Sequence, residues 1–424
     1  MGERVVVTGL GLATALGIEV EENWQKLLNG VSGITALNLP HSSSSPIRAA
    51  GQIDKAKLKK MEAVFACNSR TIGGKKTVFA HWAAVSALRD AGLVDFPGNR
   101  NRWGLFSAEG IPTVSLMEIA PYVRGQKDFN GFRFGKEHGR LGHTAINKTR
   151  FHETGGLLSE KLGLQCPNGV ITSACASATQ AIGLGFRAIR RGDATIMVVG
   201  GGDSMIDPIG LMFFVLLTAA SVSSGGAKTA CRPFDLKRNG LVVGEGAGFL
   251  VLEALSHAEE RGAHIYAEMA GYGTTMDAFR ATAPDLRGVG AAQAMKQALE
   301  DAGLGIGDID YINAHGTGTK QNDISETLAV KTVFGNQAKK VCISSSKSMI
   351  GHLMAASGGP ECIYTVLTVM NDEIHPTISL RNPDPKCDLD YVPNIKRKRV
   401  VRNALSNSFG FGGQNATIAL RKYA

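Results

Sequence analysis

The sequence contains no Cys-x-x-Cys pair and no cysteine or histidine spacing of the metal-finger kind, and its cysteine count is odd. Its seven cysteines, at 67, 166, 175, 231, 342, 362 and 387, stand apart, which argues against a disulfide framework and against a structural zinc site. No leader is expected either: Met1-Gly2-Glu3-Arg4 runs directly into the strand-like Val5-Val6-Val7, and Val6 stands where N-myristoylation requires Ser or Thr. A cytoplasmic location is therefore expected. Long apolar runs are missing too. Pro208 to Ala227 carries no charge, but its apolar centre, Ile209 to Leu217, is short for a membrane span. It is expected to be a buried helix lining a subunit interface or an apolar pocket.

Only 20% of the residues are charged, with a net charge of +9. The basic residues are scattered. Their clearest clusters are Lys55, Lys57, Lys59 and Lys60, and Lys396-Arg397-Lys398-Arg399. Neither interleaves aromatics or matches a nucleic-acid motif, so no nucleic-acid partner is expected. The first cluster is equally a solvated face or a dock for an acidic protein; the second reads as a solvated face.

What is abundant is glycine. Fifty-two glycines in 424 residues, with 44% hydrophobic residues, give enough apolar surface for a large core and many tight strand-to-helix turns, hence α/β layering. The chain also echoes itself. Ala87-Leu88-Arg89-Asp90-Ala91-Gly92-Leu93 is answered by Ala298-Leu299-Glu300-Asp301-Ala302-Gly303-Leu304, each closing an amphipathic helix before a strand (Trp103 to Ser107; Ile309 to Ala314). Next, in the first half, come a strand, small residues, Cys175 and a helix from Thr179. In the second half come Val341 to Ser346, Lys347 and a helix, and each series ends in a Gly-rich strand pair opened by Arg-Asn (Arg238-Asn239; Arg402-Asn403). The pattern predicts a duplicated α/β unit, residues 1–260 and 261–424, with a cap or interface insertion at about 109–155 in the first copy.

Within this frame Cys175 is the candidate nucleophile. In Thr172-Ser173-Ala174-Cys175-Ala176-Ser177 an apolar strand breaks into small residues and turns helical. A helix N-terminal end should favour thiolate there, and small neighbours admit substrate. Facing halves bring equivalent turns to one crevice, so Lys347 should lie beside Cys175. His315 in Asn313-Ala314-His315-Gly316-Thr317-Gly318-Thr319 and His352 in Gly351-His352 stand among small residues just past strand ends, where α/β folds place ligands. His41, His257, His264 and His375 have ordinary surface or helix contexts.

These motifs, with Ser346-Lys347-Ser348-Met349-Ile350-Gly351-His352 and Asn407-Ser408-Phe409-Gly410-Phe411-Gly412-Gly413-Gln414-Asn415, resemble the elongating type II β-ketoacyl-acyl-carrier-protein synthases over nearly the whole chain. Gly318 to Asp323 and Asn382 to Pro393 are similar to the catalytic ketosynthase subunit of type II polyketide systems; the match is poorest over 109–165, which is longer and more basic. The resemblance implies a thiolase-like, duplicated five-layer αβαβα fold, usually dimeric, and decarboxylative Claisen condensation with malonyl-acyl carrier protein. Cys175 would carry the growing acyl chain, and neutral imidazoles at His315 and His352 would donate N–H groups to the malonyl-derived enolate.

By the same resemblance, the backbone N–H groups of Cys175 and Phe411 form the oxyanion hole, and Phe411 gates the malonyl site. Lys347 orders a network with Glu326. Thr317 and Thr319 bind pantetheine, and Lys59 and Lys60 dock the acidic carrier protein. Asn313 and Glu361 match positions near a possible monovalent cation. No cofactor is implied, since the carrier protein brings the phosphopantetheine. The working unit would be a homodimer, or a heterodimer with a homologous non-catalytic subunit. The pathway stays open between polyketide synthesis and housekeeping fatty acid elongation, as does activity only with a chain-length-determining partner. A thiolase would need a second cysteine near the C-terminal Gly-Phe-Gly-Gly turn, and none is present. A non-elongating partner would lack Cys175, and a Cys-His hydrolase would need one base with an orienting acid. The tunnel for the chain is expected between the 205–217 segment and Ser107 to Pro112.

Overall fold

The computed structural model describes residues 2–40, 42–65, 74–95, 100–111, 150–222 and 226–424. His41, Cys67 and positions 112–149 of the expected insertion lie outside these.

Ten strands form one sheet among the described residues: β1 (Val5–Ala13), β2 (Trp103–Glu109), β3 (Asn168–Ile171), β4 (Ile196–Ser204), β5 (Glu245–Ala254), β6 (Ala267–Met276), β7 (Tyr311–Asn313), β8 (Cys342–Ser344), β9 (Asn403–Phe409) and β10 (Gln414–Arg421). Their order is β8-β7-β9-β10-β6-β1-β5-β4-β2-β3. Read outward from the middle, each half repeats one topology, 1-5-4-2-3 and 6-10-9-7-8. The two meet where β1 pairs antiparallel with β6. In each half three strands run parallel, β2 with β3 and β4, and β7 with β8 and β9.

The helices that bear on the site are α1 (Lys55–Phe65), α2 (Lys75–Asp90), α3 (Ser177–Arg190), α4 (Pro208–Leu216), α5 (Val289–Ala302), α6 (Lys320–Phe334) and α7 (Gly358–Asn371). α3 and α7 touch each other and strands of both halves, forming the middle layer; α2 packs on β1 and α5 on β6. Here the duplication is closest. A Cβ on Gly9 or Gly11 would stand 2.2 or 2.0 Å from the carbonyls of Ala87 and Ala83, and one on Gly271 or Gly273 2.4 or 2.0 Å from those of Ala298 and Ala294. Both outer helices therefore ride on a Gly-x-Gly strand that only glycine permits. Every residue of β1 and β5 is buried, and burial of each Val or Leu there contributes about 1.5–3 kcal/mol.

Two expectations change. The Arg-Asn pairs are not equivalent: Asn403 opens β9, the counterpart of β4, whereas Arg238-Asn239 lies in a loop ahead of β5. The apolar 208–217 segment buries only Gly210, Leu211 and Phe214 within α4, while Met212, Phe213, Leu216 and Leu217 are exposed. A short helix that is apolar all round can bury only one face against its own chain.

Candidate active site

The parallel strands of both halves deliver their carboxyl ends to one place. Cys175 follows β3, His315 follows β7, Lys347 follows β8 and Phe411 follows β9. The elbow before Cys175 is sharp: Ala174 takes φ 51°, and Ser177 Oγ fastens the turn by accepting Ser173 N–H at 2.8 Å and donating to the Ala174 carbonyl at 2.7 Å. Gly410 lets the last turn lie against this elbow, since a Cβ there would be 3.0 Å from Cys175 N. Phe411 N–H consequently points at the Cys175 sulfur. The Phe411 ring is half-buried against the cluster of Met205, Leu211, Phe214 and Met354.

The expected thiolate is not what burial produces. Cys175 is buried, and desolvation pushes its thiol up to about 11, outweighing the Phe411 N–H and the Lys347 ammonium, which pull the other way.

Cys175 Sγ and one ring nitrogen from each of His315 and His352 lie within 4.8 Å of one another, and the two rings meet edge-on with centroids 5.2 Å apart. Met354 N–H donates to His352 Nδ1 at 3.1 Å, and Ser357 Oγ lies 2.7 Å from the same atom. Nδ1 is thus an acceptor and the proton resides on Nε2, which is buried and without a partner. His315 Nδ1 is also buried and unpartnered. Burial first, then the charge of Lys347, holds both imidazoles well below their usual range. Both are neutral near pH 7.

Lys347 corrects a second expectation. Its fully buried ammonium pairs directly with Glu361, not Glu326. Glu326 instead accepts the backbone N–H groups of His315 and Gly316, each at 2.8 Å, and so holds the histidine turn. It feels Lys347 only through space. Both carboxyls are raised to about 7 by burial against that charge. Packing decides between two acids that each lie on a helix following a site turn. Asn313 Oδ1 and Glu361 Oε2 are buried without hydrogen-bond partners. Such a neutral and an anionic oxygen suit a hard cation.

The cleft, about 440 Å³, is lined by Cys175, His315, His352, Phe411, Thr317 and Thr319. The two threonine hydroxyls are 3.0 Å apart at its mouth. Sequence reasoning missed what holds this mouth: buried Arg238 bridges Asp323 at 3.2 Å and Asp384 at 2.7 Å, while Asp323 accepts Phe234 and Gly318 N–H. The Arg-Asn repeat was its only sequence signal.

On α1, Lys59 and Lys60 are exposed; Lys60 faces Glu19 at 3.5 Å and the Trp82 ring. The 396–399 cluster is partly tied down within the chain, Lys396 to Glu373 and Arg397 to Asp390. His375 is not a surface residue: it is fully buried, bonded to Tyr311 and Ser344 hydroxyls. No helix among the described residues is long and apolar enough to cross a membrane.

Two family models match this sequence: Beta-ketoacyl synthase, N-terminal domain, over residues 2–258, and Beta-ketoacyl synthase, C-terminal domain, over residues 266–381. The chain is 39% identical to a 3-oxoacyl-[acyl-carrier-protein] synthase 2 of Synechocystis sp. (strain ATCC 27184 / PCC 6803 / Kazusa) over 430 residues, covering 99% of this chain and 98% of the relative. It is 38% identical to the enzyme of the same name from Staphylococcus aureus (strain COL), with 99% of each covered. Among solved structures it is similar to a type II polyketide synthase acyl-carrier protein in complex with its ketosynthase bound to the hexaketide, at TM-score 0.88 and 32% identity. It is also similar to the ishigamide ketosynthase/chain length factor, at TM-score 0.87 and 30% identity. All of both chains is covered in each case.

Proposed function

The chain belongs to the β-ketoacyl synthase family, and from that premise we propose how it lengthens an acyl or polyketide chain: by decarboxylative Claisen condensation of a Cys175-bound acyl group with malonyl-acyl carrier protein. Two neutral imidazoles, one with its N–H fixed on Nε2, crowding a buried thiol carry this reading.

The Cys175 sulfur attacks the carrier-bound thioester carbonyl, and the carrier's thiol leaves with the proton that Cys175 gives up. Phe411 N–H and Cys175 N–H meet the developing oxyanion. Malonyl thioester then binds, loses CO₂, and its enolate oxygen takes hydrogen bonds from His315 and His352. An imidazolium there would give up its proton to the enolate and quench it, so burial that keeps the imidazoles neutral serves the step. The enolate carbon attacks the Cys175 thioester and the sulfur is released. Lys347 and Glu361 are positioning residues: burial first, and then the Lys347 charge, keeps both histidines unprotonated, and Glu361 holds Lys347 in place. Glu326 positions His315, Thr317 and Thr319 accept the pantetheine arm, and Asn313 with Glu361 would hold a monovalent cation that steadies the Lys347 turn. No cofactor of the chain's own enters any step. The nucleophile belongs to the 1–260 half and the enolate donors to the 261–424 half.

An acyl carrier protein is the partner, docking on Lys59 and Lys60 of α1, in the cytoplasm. The working unit is a dimer, homodimeric or with a homologous non-catalytic subunit. Support comes from the exposed apolar side of α4 and from β3, a sheet edge paired on one side only among the described residues. Elongation in polyketide or in fatty acid synthesis fits the relatives found.

Incubation with acyl-carrier-protein thioesters followed by intact mass measurement should show one acyl adduct, lost in Cys175→Ala. No adduct on the wild-type protein would overturn the reading. Co-purification and mass determination would separate the two dimers.

A further inference from the structure

A second set of buried groups lies at the carboxyl ends of strands of the same sheet and takes no part in the chemistry above. Glu109 ends β2, Asp203 lies one residue before the end of β4, and Lys76 reaches toward both from the first turn of α2. The Lys76 and Glu109 side chains are 8% and 0% exposed, with Nζ and Oε2 3.2 Å apart. Asp203 is fully enclosed. It accepts Ala355 N–H at 3.0 Å, in the turn that fixes His352, and Gly110 presses on it so closely that a Cβ there would be 2.1 Å from Oδ2. Its charge works against ionisation of Cys175.

This wall stands where an apolar tunnel was expected. The 205–217 side is apolar, with Met205, Leu211 and Phe214 packed beside Phe411, but the Ser107–Gly110 side is charged. Its hydrogen bonding is also incomplete. Glu109 Oε1 accepts Gly155 N–H at 3.0 Å, but apart from the ion pair Lys76 Nζ and Glu109 Oε2 make no aligned hydrogen bond, and Ser107 Oγ on the same strand face makes none. Buried polar atoms left open in this way await a polar ligand, and a methylene chain pressed against them would remove water and return nothing.

We propose that Lys76, Ser107, Glu109 and Asp203 line one side of the acyl chamber and select chains bearing hydrogen-bonding oxygen over fully reduced chains of equal length. The inference rests on Cys175 carrying the acyl chain. A site built to bond an oxygen discriminates against the analogue that lacks it, because its own groups then go unpaired. A hydroxyl or keto oxygen would accept from Lys76, and a hydroxyl would also donate to Glu109.

The test compares rates of Cys175 acylation, read by intact mass, from carrier-protein thioesters of octanoate and of 3-, 5- and 7-hydroxyoctanoate. At least one hydroxylated chain should load about tenfold faster than octanoyl. Lys76→Met with Glu109→Gln, which removes both members of the ion pair together, should abolish or invert that preference. Single Lys76→Gln should reduce it. Octanoyl loading as fast as every hydroxylated chain, or a preference unchanged in the double variant, would overturn the proposal while leaving Cys175 as the acyl carrier. No adduct from any of the four would overturn both.

Discussion

The turn after β3 and the turn after β8 occupy equivalent places in the two halves, yet they treat charge in opposite ways. Each follows the outermost strand and precedes a helix of the middle layer, and each hides its functional side chain from water. Cys175 meets no full counter-charge, so burial keeps it a thiol. Lys347 meets the Glu361 carboxylate in an equally dry place. Duplication thus supplies position, and the partner a side chain finds there supplies reactivity.

The comparison breaks most visibly if the nucleophile is removed. Cys175→Gln should lower condensation by at least about a thousandfold while malonyl decarboxylation persists, because the enolate donors sit on the other half. Absence of released CO₂ in that variant would remove His315 and His352 from their role. The second-half turn should respond in stability. Lys347→Met strands the Glu361 carboxylate and should cost about 3–5 kcal/mol in denaturant unfolding, with Lys347→Met/Glu361→Gln recovering part of the loss. If the single and double variants unfold alike, the pair is not the anchor of that turn.

A pH experiment sharpens the contrast. A thiol raised to about 11 is protonated at neutral pH, and its thiolate fraction grows about tenfold per pH unit below that value. Wild-type alkylation by iodoacetamide should therefore climb from pH 7 to 10 without a plateau; a plateau near pH 8 would mean that the helix end outweighs burial. Lys347→Met should slow alkylation further, since the ammonium favours thiolate. The smallest effect belongs to the surface. Lys59→Glu with Lys60→Glu should raise the KM for acyl carrier protein several-fold at low salt, and less at high salt. An unchanged KM would leave α1 a merely solvated face.

Much of this architecture can be read from the chain because small residues at strand ends are a local signal. Cys175, His315, Lys347 and His352 each sit in such a run, and the structure brings all four together. What failed to show were choices made by packing. Glu326 and Glu361 look alike as helix-borne acids, and only the fold decides which meets Lys347. Lys76, Glu109 and Asp203 lie far apart in sequence, two of them at strand ends that read as ordinary turns. The better mark of duplication is Gly9 and Gly11 against Gly271 and Gly273, since the Arg-Asn pairs are inequivalent.

The central position of β1 has a consequence for how the protein is made. Val5–Ala13 is flanked by β5 and β6, so this strand has no partner in the sheet until Glu245–Ala254 has been synthesised. Until then its apolar edge needs shielding. Non-local pairing of this kind slows folding.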